Sequence, residues 1–253
     1  MTPELEAAGF AVFLLFCRIG GCVLFAPGLS SARIPMQVRL LVTLGVTLSL
    51  APLLFSAISE SVASIPEAAR PALIVKETLV GSAIGMMGRI FLLSLQFAAT
   101  AIANMIGLAG IPGVPMEEAE AGSPLATLAS MTAVMVILAM GLHIEMLGAI
   151  MDSYRVITLG SPLELDVLLA NIMKTVTETS VLALRLAAPF IAYGVVINIA
   201  IGLANRFTPH ISVYHVTTGG VMLGGFLLLH VLWADWMQIF IASYEAWIMR
   251  GGF

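Results

Sequence analysis

Long apolar runs are the feature of this sequence that most restricts its fold. About 20 consecutive apolar residues are enough to cross the hydrocarbon core of a bilayer. Inside a bilayer every backbone N–H and C=O must be paired within the protein, and a run of that length achieves this as a helix. The runs of about this length or longer are residues 8–26, 38–58, 73–106, 125–151, 180–204 and 219–249.

The composition supports the same class. Hydrophobic residues make up 60% of the 253 positions and charged residues only 10%, against about 25% charged in soluble domains. The formal net charge of −4 does not provide the basic surface that nucleic-acid binding requires, so we expect contact with membrane lipid and none with nucleic acid. The sequence predicts an all-α, polytopic integral membrane protein of long, broken helices, with residues 1–253 as a single membrane-associated helical domain.

Charged residues, among them Arg18 and Glu77, and a row of glycines interrupt the first and third runs. Arg18 lies near the middle of its run, where a charge in lipid is costly, so it should face protein or water. Glu77, Gly81, Gly85 and Gly88 are spaced by four, four and three residues, which places them on one helical face. Small residues on such a face allow another backbone to approach closely. We interpret these five residues as a subunit contact. The alternatives are snorkelling or local pairing of Arg18, and an ordinary contact between helices of one chain.

The segment 107–124 separates the third and fourth runs and is rich in glycine, proline and glutamate. No regular helix is expected at that density of helix breakers. Irregular backbone at membrane depth is tolerated only where protein buries it or where it lines a watery cavity. The segment is therefore either an exposed, solvated turn or a loop that enters a pore as a plug or gate. The residues assigned to the plug are Gly107, Gly110, Pro112, Gly113, Glu117, Glu118, Glu120 and Gly122.

Three further segments have lengths or patterns that leave their structure open. Residues 73–106 are too long for one simple span, so we expect them to bend or to contain two segments. Residues 163–179 are amphipathic, which is typical of an interfacial helix or of the wet end of a longer helix. The β-branched connector at 210–220 favours a short extended or irregular piece.

Patterns for catalysis or metal binding are missing from the sequence. The four histidines, at positions 143, 210, 215 and 230, have no metal-ligand spacing, and there is no nucleotide-binding loop, nucleophile elbow or HExxH motif. We expect no enzymatic activity, no catalytic residue, no metal and no cofactor. A secondary transporter is an alternative, because Pro189, Arg18 and Asn198 are compatible with the broken helices and midplane polar groups of transporters. No internal repeat supports it.

A series of short segments, taken in order, resembles the FliR family of flagellar biosynthesis proteins, which is close in design to the SctT proteins of injectisomes. The resemblance covers nearly the whole chain and depends on order, length and spacing, since no single motif is specific. The segments are an arginine-bearing first helix ending in Ala26-Pro27-Gly28, Arg39 opening the run toward Pro52, Glu77-xxx-Gly81-xxx-Gly85, Gly107-Leu108, Gly141-Leu142-His143, Ser153-Tyr154, Leu159-Gly160, Arg185-Leu186-Ala187 before Pro189, Asn198-xxx-Gly202 and Pro209-His210-Ile211-Ser212-Val213-Tyr214.

The resemblance implies a component of the flagellar type III secretion export gate. Such a protein would form, with FliP and FliQ, a conduit that carries unfolded flagellar subunits across the bacterial inner membrane, and it would contact FlhB and FlhA. It would be a multi-pass protein of the flagellar basal body, with helices arranged around a central pore. By position, the family's plug maps onto residues 110–122. The alternative within this resemblance is the export gate of an injectisome.

Overall fold

The computed structural model describes residues 3–31, 34–63, 66–108, 123–159, 161, 163–207 and 213–251. All regular secondary structure within these residues is helical, which confirms the predicted all-α class. A 3₁₀ turn at Glu67–Ala69 precedes the third α-helix. The α-helices are α1 (Pro3–Phe25), α2 (Met36–Ala63), α3 (Arg70–Met105), α4 (Pro124–Ala139), α5 (Leu142–Val156), α6 (Leu165–Phe207) and α7 (Val213–Met249).

Most of these helices are long and apolar enough to cross a membrane. Such stretches are found in α1, α2, α3, α6 and α7, and α4 and α5 would together make a sixth span. The predicted polytopic membrane protein is thereby confirmed. The five stretches are Ala8–Phe25, Met36–Leu54, Glu67–Met105, Leu165–Phe207 and Thr217–Met249.

Glycine, proline and serine define several of the helix ends. Helix α1 stops at Phe25, two residues before Pro27, and Gly28 follows with a φ of 83°. Ser123 caps α4, because its Oγ accepts a hydrogen bond from the backbone N–H of Ala126 at 3.1 Å. Gly141, with a φ of 75°, separates α4 from α5. The break at Gly141 divides the run 125–151, which we had expected to be one helix.

All three segments whose structure the sequence leaves open are mostly helical. Residues 73–106 do not split, since α3 is a single helix of 36 residues. Glycine inside a helix costs only about 1 kcal/mol, so the glycines of α3 do not end it. Residues 165–179 form the beginning of the 43-residue α6, as the second alternative, the end of a longer helix, proposed. The connector at 210–220 is helical from Val213 onward, which corrects the expectation of an extended piece.

The chain forms two compact units. The first comprises Met1–Phe91, Leu138–Thr177 and Tyr244–Phe253, and the second comprises Leu92–Ile137 and Glu178–Ser243. Helices α3, α6 and α7 each contribute residues to both units. This division does not test the prediction that residues 1–253 are a single domain, which stays a prediction.

Two apolar clusters form the core of the first unit. Helices α1 and α3 contribute to both clusters, and α5 and the segment that follows it cover them. One cluster contains Ala11, Leu14, Leu15, Leu73 and Leu159. The other contains Ile19, Cys22, Val23, Ala26, Val80, Ile84, Met146 and Ile150.

Glycines allow the helices of the second unit to pack closely. A Cβ added at Gly194 of α6 would lie 2.7 Å from the Sδ of Met105, and one at Gly225 of α7 would lie 2.5 Å from the Cβ of Ile106. A side chain at Gly225 would therefore overlap Ile106, whereas one at Gly194 would require the flexible side chain of Met105 to move. The hydroxyl of Tyr193 on α6 donates to the backbone oxygen of Val221 on α7 at 2.6 Å, so a polar bond also joins these two helices.

Candidate functional site

A fully buried ion pair joins α1 to α3 in the first unit. Arg18 and Glu77 each have a side-chain exposure of 0%. The guanidinium donates from Nε to Oε2 at 2.7 Å and from Nη2 to Oε1 at 2.9 Å. This two-bond geometry is the strong form of an arginine–carboxylate interaction. Each charge neutralises the other in the interior of the protein, where an unpaired charge would destabilise the fold.

Helix α5 and the residue that follows it complete the surroundings of Arg18. Its Nη1 donates to Ser153 Oγ at 2.9 Å, and its Nη2 also donates to the backbone oxygen of Ile157 at 3.2 Å. The ring of Tyr154 lies against the guanidinium, with its centroid 3.7 Å from Cζ, a distance typical of a cation–π contact. One arginine thus fixes the positions of α1, α3 and α5 relative to one another.

The neighbouring Lys76 holds a different part of the same unit. Its ammonium donates to three backbone oxygens, those of Thr158 at 2.6 Å, Leu159 at 3.2 Å and Ser161 at 2.6 Å. A buried ammonium needs acceptors of this kind, and these carbonyls belong to the segment after α5. Lys76 and Glu77 therefore anchor the two sides of one polar cluster. We call it the arginine cluster, and it consists of Arg18, Lys76, Glu77, Ser153, Tyr154 and the carbonyls of Ile157, Thr158, Leu159 and Ser161.

The glycine stripe of α3 packs against α1 beside the arginine cluster. A Cβ at Gly81 would overlap the backbone of Arg18, and a Cβ at Gly85 would overlap the backbone oxygen of Cys22. A Cβ at Gly88 would lie 3.2 Å from the Cδ of Pro27. The close backbone approach that the stripe predicts is therefore present, and its partner is a helix of the same chain.

The five residues assigned to a subunit contact thus all have partners within the chain. Arg18 and Glu77 are fully covered, and Gly81, Gly85 and Gly88 are buried. The arrangement is the intrachain helix contact that we gave as the alternative. A single chain does not test a contact with another subunit, which stays a prediction, but such a contact would require this packing to open.

Most of the predicted plug lies outside the described residues. Only Gly107 of the assigned residues is described, and Gly110, Pro112, Gly113, Glu117, Glu118, Glu120 and Gly122 are not. Gly107 has a φ of 82°, a left-handed conformation in which a residue with a Cβ is strained. Its N–H bonds to the oxygen of Asn104 at 3.3 Å. Gly107 is thus the residue through which the chain leaves the end of α3.

A small polar cavity lies beside Gly107 in the second unit. Its volume is about 90 Å³. Asn104 comes from α3, Asn198 from α6, and Thr217 and Thr218 from α7. Amides and hydroxyls of this kind can hydrogen-bond to backbone or to water, but they do not titrate near neutral pH. The rest of the lining is apolar or glycine, and none of the lining residues is charged.

The described residues contain no constellation for metal chemistry. No three His, Cys, Asp or Glu side chains within the ranges given above come close enough to hold a metal ion. The two cysteines, Cys17 and Cys22, are free thiols. What the described geometry does provide is tight helix packing organised by buried polar groups.

Two parts of these sites are missed by sequence reasoning. The sequence indicates that Arg18 and Glu77 need partners, but it does not indicate that they pair with each other. The cavity beside Gly107 is assembled from three helices. Asn104 and Asn198 each stand in an apolar run, but nothing in the sequence indicates that they line one cavity. A usable signal is that Glu77 is the one acidic residue of the third run and Arg18 the one charged residue of the first.

Comparison with known proteins identifies the family. The sequence model of "Bacterial export proteins, family 1" matches residues 10–246. The chain is 29% identical over 241 residues to the flagellar biosynthetic protein FliR of Caulobacter vibrioides, an alignment that covers 90% of this chain and 94% of that protein. It is 26% identical over 205 residues to the flagellar biosynthetic protein FliR of Escherichia coli, covering 78% of this chain and 74% of that protein.

The family match includes every described residue of the arginine cluster, the glycine stripe, and the cavity beside Gly107. The two alignments also cover most of the relatives' own length, so the likeness is not confined to one helix pair. On this evidence the chain belongs to family 1 of the bacterial export proteins, the FliR family.

Proposed function

We propose that this chain is a wall and closure component of the flagellar type III export gate. The observation that carries the proposal is the family match over residues 10–246. A role in flagellar type III export follows from family membership, since both relatives are named as flagellar biosynthetic proteins. The finer statement, a conduit built together with FliP and FliQ in the inner membrane of the basal body, is the proposal.

The role we propose is passive. The family consists of structural export components and is not known for enzymatic activity. Long helices held by buried polar contacts suit a wall that keeps its shape while unfolded subunits pass. Energy for transport would come from other components of the machine. FlhB and FlhA are the further partners that we propose for the assembled gate.

The proposal is tested by deleting the gene and measuring secretion. A strain without this chain should export no flagellar filament protein, and the wild-type gene supplied in trans should restore export. Substrates of any injectisome in the same cell serve as the control and should be secreted normally. Loss of injectisome secretion with normal flagella would instead assign the chain to the injectisome gate.

We further propose that the segment from Gly107 to Gly122 closes the pore. This rests on the resemblance and on Gly107, whose φ of 82° directs the chain out of α3. Replacing residues 110–122 with a shorter glycine–serine linker should let the assembled gate leak small solutes, because the closing segment would no longer fill the pore. The measurement is uptake of a small dye by cells that express the variant gate. The matched control keeps the segment and replaces Glu117, Glu118 and Glu120 with glutamine. It separates the effect of the segment's volume from the effect of its negative charge. An assembled variant gate that stays tight contradicts the plug.

A further inference from the structure

One face of α6 is exposed and apolar except for a single arginine. Val181, Val196 and Leu203 on this face are exposed by 55%, 64% and 58%. Arg185 lies on the same side of the helix, because steps of four and of eleven residues return to nearly the same direction. We call this surface the α6 face, and it consists of Val181, Arg185, Ala188, Ala192, Val196 and Leu203. In the membrane-crossing stretch of α6 only 22% of the residues are buried within the chain, so this surface needs a cover.

Arg185 has no partner within the part of the chain that the structure describes. Its side chain is exposed, and no described residue forms a hydrogen bond or an ion pair with its guanidinium. Arg18, Arg70 and Arg155 differ in this respect, since each pairs with a carboxylate of its own chain. Arg185 therefore presents an unused, planar set of N–H donors on an otherwise apolar surface.

Pro189 frees a hydrogen-bond acceptor beside Arg185. Proline has no backbone N–H, so the carbonyl oxygen of Arg185 lacks the helix hydrogen bond that residue 189 would otherwise donate. Ala188 and Ala192 are also exposed. They carry small side chains at a spacing of four, and such residues let the backbone of a second helix approach closely. The α6 face thus combines an unused donor, an acceptor without its helix bond and a shallow surface on which a helix can lie.

Neither lipid nor water suits this surface. An unpaired guanidinium surrounded by hydrocarbon is costly, and an apolar surface of this length is costly in water. A helix of another protein that carries a carboxylate within an apolar face meets both requirements, whatever the depth of α6 relative to the bilayer. A carboxylate accepts a pair of N–H bonds from one arginine, the strong geometry that Arg18 and Glu77 form within this chain.

We propose that the α6 face binds a helix of another component of the export gate, and that an Asp or Glu on that helix pairs with Arg185. The charge of Arg185 selects an acidic partner, and the apolar residues on both sides of it exclude water from the pair. The proposal rests on the proposed function only in taking the partner to be a gate component. The residue and the chemistry of the contact come from the α6 face itself.

Site-specific photo-crosslinking locates the partner helix. The photoreactive residue p-benzoylphenylalanine replaces Val181 or Val196 in the tagged full-length chain, the cells are irradiated, and the crosslinked peptides are identified by mass spectrometry. Both positions should crosslink to one apolar segment of another protein. Val181 and Arg185 are separated by about 6 Å along the helix. The segment should therefore carry an Asp or Glu within about two turns of the site that is reached from Val181.

Charge reversal tests the ion pair. Arg185→Glu should lower the amount of that partner recovered with the chain about tenfold or more, because like charges would meet in a desolvated contact. Arg185→Lys should retain most of the partner. Replacing the acidic residue of the partner with arginine should restore recovery with Arg185→Glu, which a variant that merely misfolds would not permit. Arg155→Glu is the matched control and should recover as much partner as wild type, because Arg155 is 86% exposed and already pairs with Asp152 of its own chain.

The outcomes separate this contact from the proposed function. Crosslinks to lipid alone or within this chain would overturn the proposal, as would a partner segment without an acidic residue or a reversed partner that fails to restore recovery. Equal recovery of gate proteins with Arg185→Glu and with wild type would overturn it too and leave the proposed function standing. A charge-matched partner that belongs to no export gate would overturn the proposed function, while it would support an acidic partner for Arg185.

Discussion

Arg18 shows how much of the first unit depends on a single side chain. It bonds to Glu77, Ser153 and the carbonyl of Ile157, and the apolar clusters of α1 and α3 lie on both sides of it. A buried ion pair is weak evidence for stability as such, because desolvation offsets its attraction. What it does provide is specificity of packing. The planar guanidinium donates its hydrogen bonds in a fixed geometry, which only one arrangement of its acceptors satisfies.

Removing one partner of this pair should be far worse than removing both. Arg18→Met alone leaves the carboxylate of Glu77 buried without a counter-charge, and we expect the free energy of unfolding to fall by about 3–5 kcal/mol. The double variant Arg18→Met/Glu77→Met should recover most of that loss. The measurement is a denaturant titration of the purified chain in mixed micelles.

An exposed pair on α5 provides the control for this cycle. Arg155 and Asp152 are 3.1 Å apart, with side-chain exposures of 86% and 57%. Because solvent screens such pairs, Arg155→Met should change the free energy of unfolding by less than about 1 kcal/mol. Equal effects of Arg18→Met and Arg155→Met would mean that the buried pair does not hold the unit together.

At the scale of single residues, the sequence indicates that Arg18 and Glu77 need partners, but not which residues those partners are. Arg18 and Glu77 interrupt apolar runs, so each must be satisfied by protein or water. They are 59 residues apart in the chain, and helix spacing carries no information over that separation. Ser153 and the carbonyl of Ile157 could not be predicted as partners, because they only become adjacent once α5 packs on α1 and α3.

At the scale of elements, the contact between α1 and α3 depends on the missing side chains of the stripe. Gly81→Ala should lower the free energy of unfolding by about 1–3 kcal/mol, the usual cost of overpacking, because its Cβ would overlap the backbone of Arg18. The same titration in mixed micelles measures it.

Gly148→Ala on α5 is the matched control for this variant. Nothing lies within 4 Å of a Cβ at Gly148, and alanine is favoured over glycine in a helix by about 1 kcal/mol, so the control should be neutral or stabilised. If the two variants have the same stability, close packing at Gly81 is not what joins α1 to α3. Loss of subunit assembly in a Gly81 variant would not by itself indicate a subunit contact, because the fold of the chain is disturbed first.

Helix lengths were less predictable than helix existence. The apolar runs locate most of the α-helices, because run length and hydropathy are local properties. The continuity of α6 from Leu165 to Phe207 and the break at Gly141 are not local properties. Glycine is tolerated inside α3 and yet divides α4 from α5. The carbonyls of the segment after α5 bond to Lys76, a contact between residues that are more than 80 positions apart and that the sequence alone does not indicate.

At the scale of the whole molecule, large apolar surfaces remain uncovered by the chain itself. In the membrane-crossing stretches of α2 and α6, only 11% and 22% of the residues are buried. Surfaces of this extent are covered by lipid or by other proteins. The sequence predicts that such surfaces exist, whereas the division of the cover between lipid and subunits depends on partners that one chain does not reveal. Uncovered apolar surface of this extent is typical of a chain that functions within a larger assembly.

We propose that the chain is part of an export gate with FliP and FliQ. The most direct measurement is affinity purification of the tagged chain from native membranes under mild detergent, with mass spectrometry of the proteins that accompany it. FliP and FliQ should be recovered at constant ratios to the tagged chain. The control is an unrelated tagged multi-pass protein of the same membrane, which should recover neither. Recovery of the chain alone, in a stable folded form, would contradict the proposal.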